Sequence, residues 1–284
     1  MGRVTTQQKA AAIGAITEGV SLRATSRLTG LSRARLDKLV LEMGRASERL
    51  LDEHVRGFRC EQIEADELWT YIGKRRHRVR EGDPADVGDA WIWSAIDPDS
   101  KLIPAHHVGK RQLADARAFG RRLRRRIEGR PQFNTDRLAA YRTAILGQFS
   151  TRRADGTWDR PDWGTVVKHF ETGTTDQGRY VPPRMAKAER RIESGNPDPD
   201  RISTSHIESQ HLQFRMRNKR AARMTNAASK THQHLRASVA MYFAHYNFVR
   251  KHSTVRTAPA VAAGLADRPW SMAEFVEWGE LYGR

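Results

Sequence analysis

Residues 62–72 read QIEADELWTYI, and this stretch decides the fold expected for the chain. Its β-branched and aromatic residues are typical of a β-strand. The segment also carries three acids, Glu64, Asp66 and Glu67, in a protein whose formal net charge is +17. An exposed edge strand would account for such acids through simple solvation, so Asp66 alone does not identify a functional site.

The residues that follow this strand predict an α/β fold. A turn-rich tetrapeptide at 97–100 separates two strand-like runs, which predicts a hairpin. Further strands then alternate with helices, a pattern typical of a mixed sheet with helices on its faces. We expect five strands, over residues 62–72, 89–96, 102–108, 131–135 and 166–170. We expect the helices after the first strand over residues 112–127, 138–149, 204–218, 226–250 and, more briefly, 272–281.

The N-terminal residues predict three short helices in a small all-α domain. Ser32 is a typical N-cap for the third helix, and Gly30 supplies the conformation that a tight turn between two helices requires. This spacing is typical of a helix-turn-helix, in which Arg33, Arg35 and Lys38 would reach a DNA major groove. A plain helical hairpin that stabilises its neighbour is the alternative interpretation.

Composition narrows the class of partner. With 284 residues and a net charge of +17, the chain can bury a full core and favours a polyanion, with nucleic acid as the first choice. A membrane surface is the rival, but the sequence shows neither a lipidation signal nor a basic amphipathic helix, and no apolar run long enough to span a bilayer. The single cysteine, Cys60, excludes an intramolecular disulfide framework and a cysteine-based zinc module. We therefore expect a soluble cytoplasmic protein.

Two further acids occupy positions that complete a set with Asp66. Asp136 follows the fourth strand, although an N-cap or turn role would also place an aspartate there. Glu208 is the only acid between residues 201 and 250, which contain nine Lys and Arg residues. Carboxylates from separate elements can hold two divalent cations against a phosphodiester. Arg215, two helical turns after Glu208, would share its helix face and could bind phosphate.

The overall pattern divides the chain into three parts. Residues 1–50 form the predicted helix-turn-helix domain, and residues 58–250 form the predicted α/β catalytic domain. Within the latter, glycine, proline and charged residues predict an irregular insertion at about 171–203. Residues 251–284 form a predicted tail with one short helix.

Several short motifs occur in one order along most of the chain and together resemble a known family. They are GVSLRAT (19–25), LTG (28–30), ADELW (65–69), WIWSAID (91–97), SKLIP (100–104), TD (135–136), AY (140–141), GNPDP (195–199), ISTS (202–205) leading to Glu208, YN (246–247) with Arg250 and His252, and Pro259 with AAG (262–264). On these residues the chain resembles bacterial insertion-sequence transposases with a DDE catalytic core, of the kind grouped under insertion sequence one.

The resemblance implies an RNase H-like mixed five-stranded sheet flanked by helices. It also implies that Asp66, Asp136 and Glu208 are the catalytic residues and the ligands of two Mg²⁺ ions, for which Mn²⁺ would substitute. The implied activity is cleavage at insertion-element ends and strand transfer into target DNA. The implied partners are double-stranded DNA and further copies of the chain, assembled on DNA in the nucleoid.

The chain departs from the family pattern beside two of the acids. Arg137 stands where a glycine commonly follows the second aspartate, and Ser209 and His211 stand where an arginine and an asparagine are usual. Two alternatives therefore stay open: a catalytically inactive DNA-binding regulator derived from a transposase, and a structure-selective nuclease that cuts without joining.

Overall fold

A computed structural model describes residues 4–171, 184–223 and 225–283, and in this part the chain is a mixed α/β protein. The strands are β1 Gln62–Ile72, β2 Gly88–Ile96, β3 His106–Gly109, β4 Gln132–Thr135, β5 Thr151–Arg152, β6 Trp158–Asp159, β7 Trp163–Glu171 and β8 Arg184–Ser194. The helices are α1 Thr6–Thr17, α2 Leu22–Thr29, α3 Arg33–His54, α4 Leu113–Arg126, α5 Ala140–Phe149, α6 Ser205–Arg217, α7 His232–Phe248, α8 Pro259–Ala262 and α9 Met272–Tyr282.

Six of these strands form one mixed sheet in the order β3-β2-β1-β4-β7-β8, and β5 and β6 form a separate small hairpin. Strands β1, β4 and β7 are parallel, whereas β2 and β3 on one side and β8 on the other pair antiparallel to their neighbours. Ala65 of β1 pairs with Thr135, the last residue of β4. Asp66 and Asp136 are therefore adjacent where β4 ends.

Helices cover both faces of the sheet, and β1 sends alternate side chains to each face. Glu64 and Asp66 face α6, where they contact the Ile207 amide and His211. Glu67 faces the opposite side, where the Tyr141 hydroxyl of α5 donates to it. The acids of β1 thus contact helices on opposite faces of the sheet.

The third N-terminal helix begins at the cap that the sequence predicts, and the second ends at the predicted glycine. The Ser32 hydroxyl accepts from the Arg35 amide at the start of α3, and Gly30 ends α2 with a φ of 70°. Helix α3 is longer than expected and packs along α7, where a Cβ on Gly44 would lie 2.3 Å from the Ala237 Cβ. Buried residues of α1, α3, α7, α9 and the sheet belong to one continuous core.

The prediction of five strands is wrong: the main sheet has a sixth strand, β8, at its edge beside β7, and the hairpin of β5 and β6 was not predicted. Residues 184–194 had been assigned to an irregular insertion, of which residues 172–183 lie outside the described part of the chain. Most side chains of β8 are exposed, so neither face shows the apolar alternation on which strand prediction relies. Charged residues of this kind are typical of an edge strand.

Among the helices that the structure describes, none combines the length and the apolar character needed to cross a bilayer.

Candidate metal centre

Three carboxylates meet where β4 ends beside β1. One oxygen from each of Asp66, Glu67 and Asp136 lies within 4.8 Å of the others. Oxygen ligands of this kind suit hard divalent cations such as Mg²⁺ and Mn²⁺. This cluster could therefore hold a metal ion, and it includes Glu67, which the sequence analysis did not select.

Glu67 is the most buried carboxylate of the cluster. Burial raises its pKa to about 8, and the neighbouring charges of Asp136 and Asp66 act in the same direction. The Arg111 guanidinium, 2.8 Å away, and the Tyr141 hydroxyl, 3.0 Å away, oppose that shift without cancelling it. A cation that binds Glu67 below about pH 8 must therefore displace a proton.

Asp136 is held in place by its own backbone. Its Oδ1 accepts from the Leu138 amide at 2.9 Å, so the chain turns tightly between β4 and α5. Burial raises the pKa of Asp136, and the charge of Asp66 adds to the shift. A group of acids that repel one another in this way is relieved when a cation binds between them.

Asp66 is oriented by a chain of hydrogen-bonding groups across the sheet. His211 of α6 places Nδ1 3.3 Å from Asp66 Oδ2 and Nε2 2.8 Å from the hydroxyl of Ser94, which is fully buried. The imidazole is thus fixed between β1 and β2. Its contact with the carboxylate limits the orientations that Asp66 can adopt, as outer-sphere partners of metal ligands commonly do.

Glu208 lines the same cleft but does not belong to the three-carboxylate cluster. It forms an ion pair with Lys168 of β7 and accepts from the Thr204 hydroxyl at 2.5 Å. We call this space of about 570 Å³ the carboxylate cleft. The charged residues that line it are Asp66, Arg111, Asp136, Arg137, Lys168 and Glu208.

The third acid of β1, Glu64, positions Glu208 indirectly. Glu64 is 1% exposed and accepts from the backbone amides of His206 and Ile207, at 2.8 and 3.0 Å. A carboxylate at the first turn of a helix satisfies amides that lack a partner within the helix. Glu64 therefore fixes the start of α6, and with it Glu208, against β1.

The cations predicted to bind DNA lie in three different places. Arg33 faces a cleft between the N-terminal helices and the connection from α6 to α7. Arg35 and Lys38 line another cleft, beside α9. Arg215 donates to the carbonyl oxygens of Trp69 and Ala221, at 2.9 and 2.7 Å, which ties α6 to β1. A DNA-binding role for these four residues stays a prediction.

All three acids that the sequence predicted, Asp66, Asp136 and Glu208, line the carboxylate cleft. Sequence reasoning missed Glu67 and Lys168. The acid density of residues 64–67 was a signal for Glu67, whereas Lys168 looks like an ordinary strand residue. In comparisons with known proteins, no family model matches the chain and no curated protein is similar to it.

Proposed function

We propose that the protein is a DNA transposase of the DDE type, which cleaves phosphodiester bonds at the ends of an insertion element and joins them to target DNA. One observation carries this proposal: Asp66, Asp136 and Glu208, which are far apart in sequence, line a single cleft. Two of them, with Glu67, form a cluster that could bind a metal ion.

The topology supports an RNase H-like core. In the order β3-β2-β1-β4-β7, β2 runs antiparallel to both of its neighbours, whereas β1, β4 and β7 are parallel, which is the arrangement expected of such a core. The added strand β8 extends it by one. The net charge of +17 supports a polyanionic substrate.

Each residue of the cleft has a distinct part in this proposal. Asp66 and Asp136, with Glu67, would hold Mg²⁺, which supplies Lewis-acid stabilisation of the phosphodiester oxygens. Glu208 is held over the cleft by Thr204 and by Lys168.

Two cations would act on the substrate's charge. The Arg111 side chain is 42% exposed while it contacts Glu67, so it can also face a phosphate. Lys168 lies at the cleft wall and reduces the repulsion that an incoming phosphate meets.

The test uses duplexes that carry the DNA directly flanking the coding sequence on each side, with Mg²⁺ or Mn²⁺ and a target plasmid. Wild type is expected to give cut ends joined to the plasmid. The Asp66→Asn and Asp136→Asn variants are expected to lose products by about 10³-fold, which corresponds to about 4 kcal/mol of barrier height. Asp155→Asn, at an exposed turn residue that does not line the cleft, is the matched control.

Equal product from wild type and the two cleft variants would refute the proposal. Cut DNA with no joined product would identify a nuclease. DNA binding with no cleavage in either metal would identify a regulator.

A further inference from the structure

A second cleft carries a dense positive charge that the proposed chemistry does not use. It has a volume of about 720 Å³ and lies between the N-terminal helices and the connection from α6 to α7. We call it the basic groove. The cations that line it are Arg23, Arg33, Arg217, Lys219, Arg220 and Lys230. Among the described lining residues, Asp37 is the only acid.

Most of this charge is not neutralised within the protein. Asp37 is shared between Arg220 and His234, at 3.6 and 2.8 Å, and Arg217 pairs with Glu18 at 3.3 Å. The other four cations of the basic groove have no ion pair in the part of the chain that the structure describes. Like charges that converge on one cleft repel one another, so the arrangement favours a bound polyanion.

The lining also contains an unsatisfied polar group. Tyr242 of α7 is 3% exposed and lines the basic groove, and its hydroxyl makes no hydrogen bond with any described residue. A buried hydroxyl without a partner is unfavourable. A ligand with acceptor oxygens would relieve it, which is a second feature that favours an oxyanion.

The position of the basic groove relates it to the carboxylate cleft. Helix α6 carries Glu208 near its first residue and Arg217 at its last. Arg217 lies nine positions after Glu208, which is about 14 Å along the helix axis, since the rise is about 1.5 Å per residue. Successive phosphates of one DNA strand are spaced by about 3.4 Å along the duplex axis, so this separation corresponds to about four base pairs.

We propose that the basic groove binds the phosphate backbone of duplex DNA on one side of the phosphate that occupies the carboxylate cleft. The statement about the cleft rests on the proposed function, whereas binding of the backbone in the groove does not. Arginine and lysine contacts to phosphate are independent of DNA sequence. The groove would therefore bind the backbone of any duplex, and the N-terminal helices would provide sequence specificity.

The test measures binding of a fluorescent duplex in EDTA, where no cleavage occurs, at a series of salt concentrations. The triple variant Arg23→Ala/Lys219→Ala/Lys230→Ala removes three exposed cations of the basic groove. Each lost phosphate contact lowers the slope of log K against log salt by about 0.9, so the slope is expected to fall by about 2.7. Each single variant is expected to lower it by about 0.9, which keeps the test valid should the triple variant fold poorly.

The matched control is Arg117→Ala/Arg121→Ala/Arg125→Ala, which removes the same charge from the exposed face of α4. Its slope is expected to change by less than one third of the change in the groove variant. Equal changes in the two triple variants, or no change in either, would overturn the proposal.

The two proposals fail in different ways. If the wild-type protein yields no cut DNA, the transposase function fails, while the salt dependence still decides whether the groove binds the backbone. If wild type cuts DNA and the groove variant keeps both the wild-type slope and the wild-type KM, the groove proposal fails alone. A raised KM with an unchanged kcat would show that the groove contributes to DNA binding and not to the chemical step.

Discussion

The carboxylate cleft and the basic groove differ in how their charges are balanced. Three acids and three cations line the cleft, where Lys168 pairs with Glu208 and Arg111 pairs with the adjacent Glu67. The groove has six cations and a single acid among its described lining residues. The cleft must therefore exchange its own cations or protons to take up a metal, whereas the groove can accept an anion directly. Metal binding should depend on pH, and DNA binding should depend on salt.

The largest expected effect distinguishes metal binding in the carboxylate cleft from DNA binding in the basic groove. The double variant Asp66→Asn/Asp136→Asn should weaken Mn²⁺ binding on the order of 10³-fold, about 4 kcal/mol, because both aspartates of the cluster are lost. Calorimetric titration with Mn²⁺ measures this. DNA affinity in EDTA should not fall, because the groove is untouched.

The control for this pair is Asp155→Asn/Asp267→Asn, which removes the same charge from exposed positions. Unchanged Mn²⁺ affinity in the double cleft variant would show that the metal binds elsewhere.

The next effect concerns Glu67. Its pKa is raised to about 8, so below that pH its proton must leave before the carboxylate can bind a cation. Mn²⁺ affinity should therefore rise by up to tenfold per pH unit towards pH 8 and then level off. Glu67→Gln should remove this component and weaken binding by about 10²-fold at pH 8. A variant with the wild-type slope from pH 6 to pH 8 would exclude Glu67 as a ligand.

A smaller effect is expected from His211, which contacts Asp66 without being part of the cluster. His211→Ala should weaken Mn²⁺ binding by about tenfold, the lower end of the range for partners of metal ligands. His211→Asn should recover part of the loss, because an amide can keep a hydrogen bond to the carboxylate. Equal Mn²⁺ affinities for wild type and His211→Ala, at equal thermal stability, would show that His211 does not contribute to the metal site.

The smallest effect has the opposite sign. Lys168→Met should strengthen Mn²⁺ binding about three- to fivefold, because it removes a partly exposed positive charge that acts on Asp136 and lines the same cleft, an interaction worth about 1 kcal/mol or less. Lys187→Met, on β8, removes a similar cation that pairs with Glu189 at 3.0 Å and does not line the cleft. Weaker binding in Lys168→Met would mean that the lysine holds Glu208 in place for the metal.

The sequence predicted the strands that have an apolar face. Strand β1 was predicted at its observed boundaries, and β2, β4 and β7 within a few residues. Strand β8 was missed because it lies at the sheet edge and exposes charged side chains on both faces. Hydrophobic periodicity cannot report a strand that buries so little apolar surface.

The sequence predicted the parts of the candidate site that depend on residue type and on order along the chain. It did not predict contacts that depend on how far a side chain extends in the folded protein. Asp66 lies within a predicted strand and Asp136 directly follows another, and they are adjacent because β4 ends where it pairs with Ala65 of β1. Glu67 lies on the opposite face of β1 from Asp66, yet its longer side chain brings an oxygen into the same cluster. The Lys168 pair with Glu208 joins residues 40 positions apart, and no local pattern reveals it.

Helix α3 is one unbroken element of 22 residues, about 33 Å long, that packs against α7 and α9. Helix α3 therefore contains no hinge, and the N-terminal helices move together with the sheet. If the basic groove binds DNA as proposed, a rotation of the N-terminal helices on the duplex would therefore also rotate the sheet that carries the carboxylate cleft.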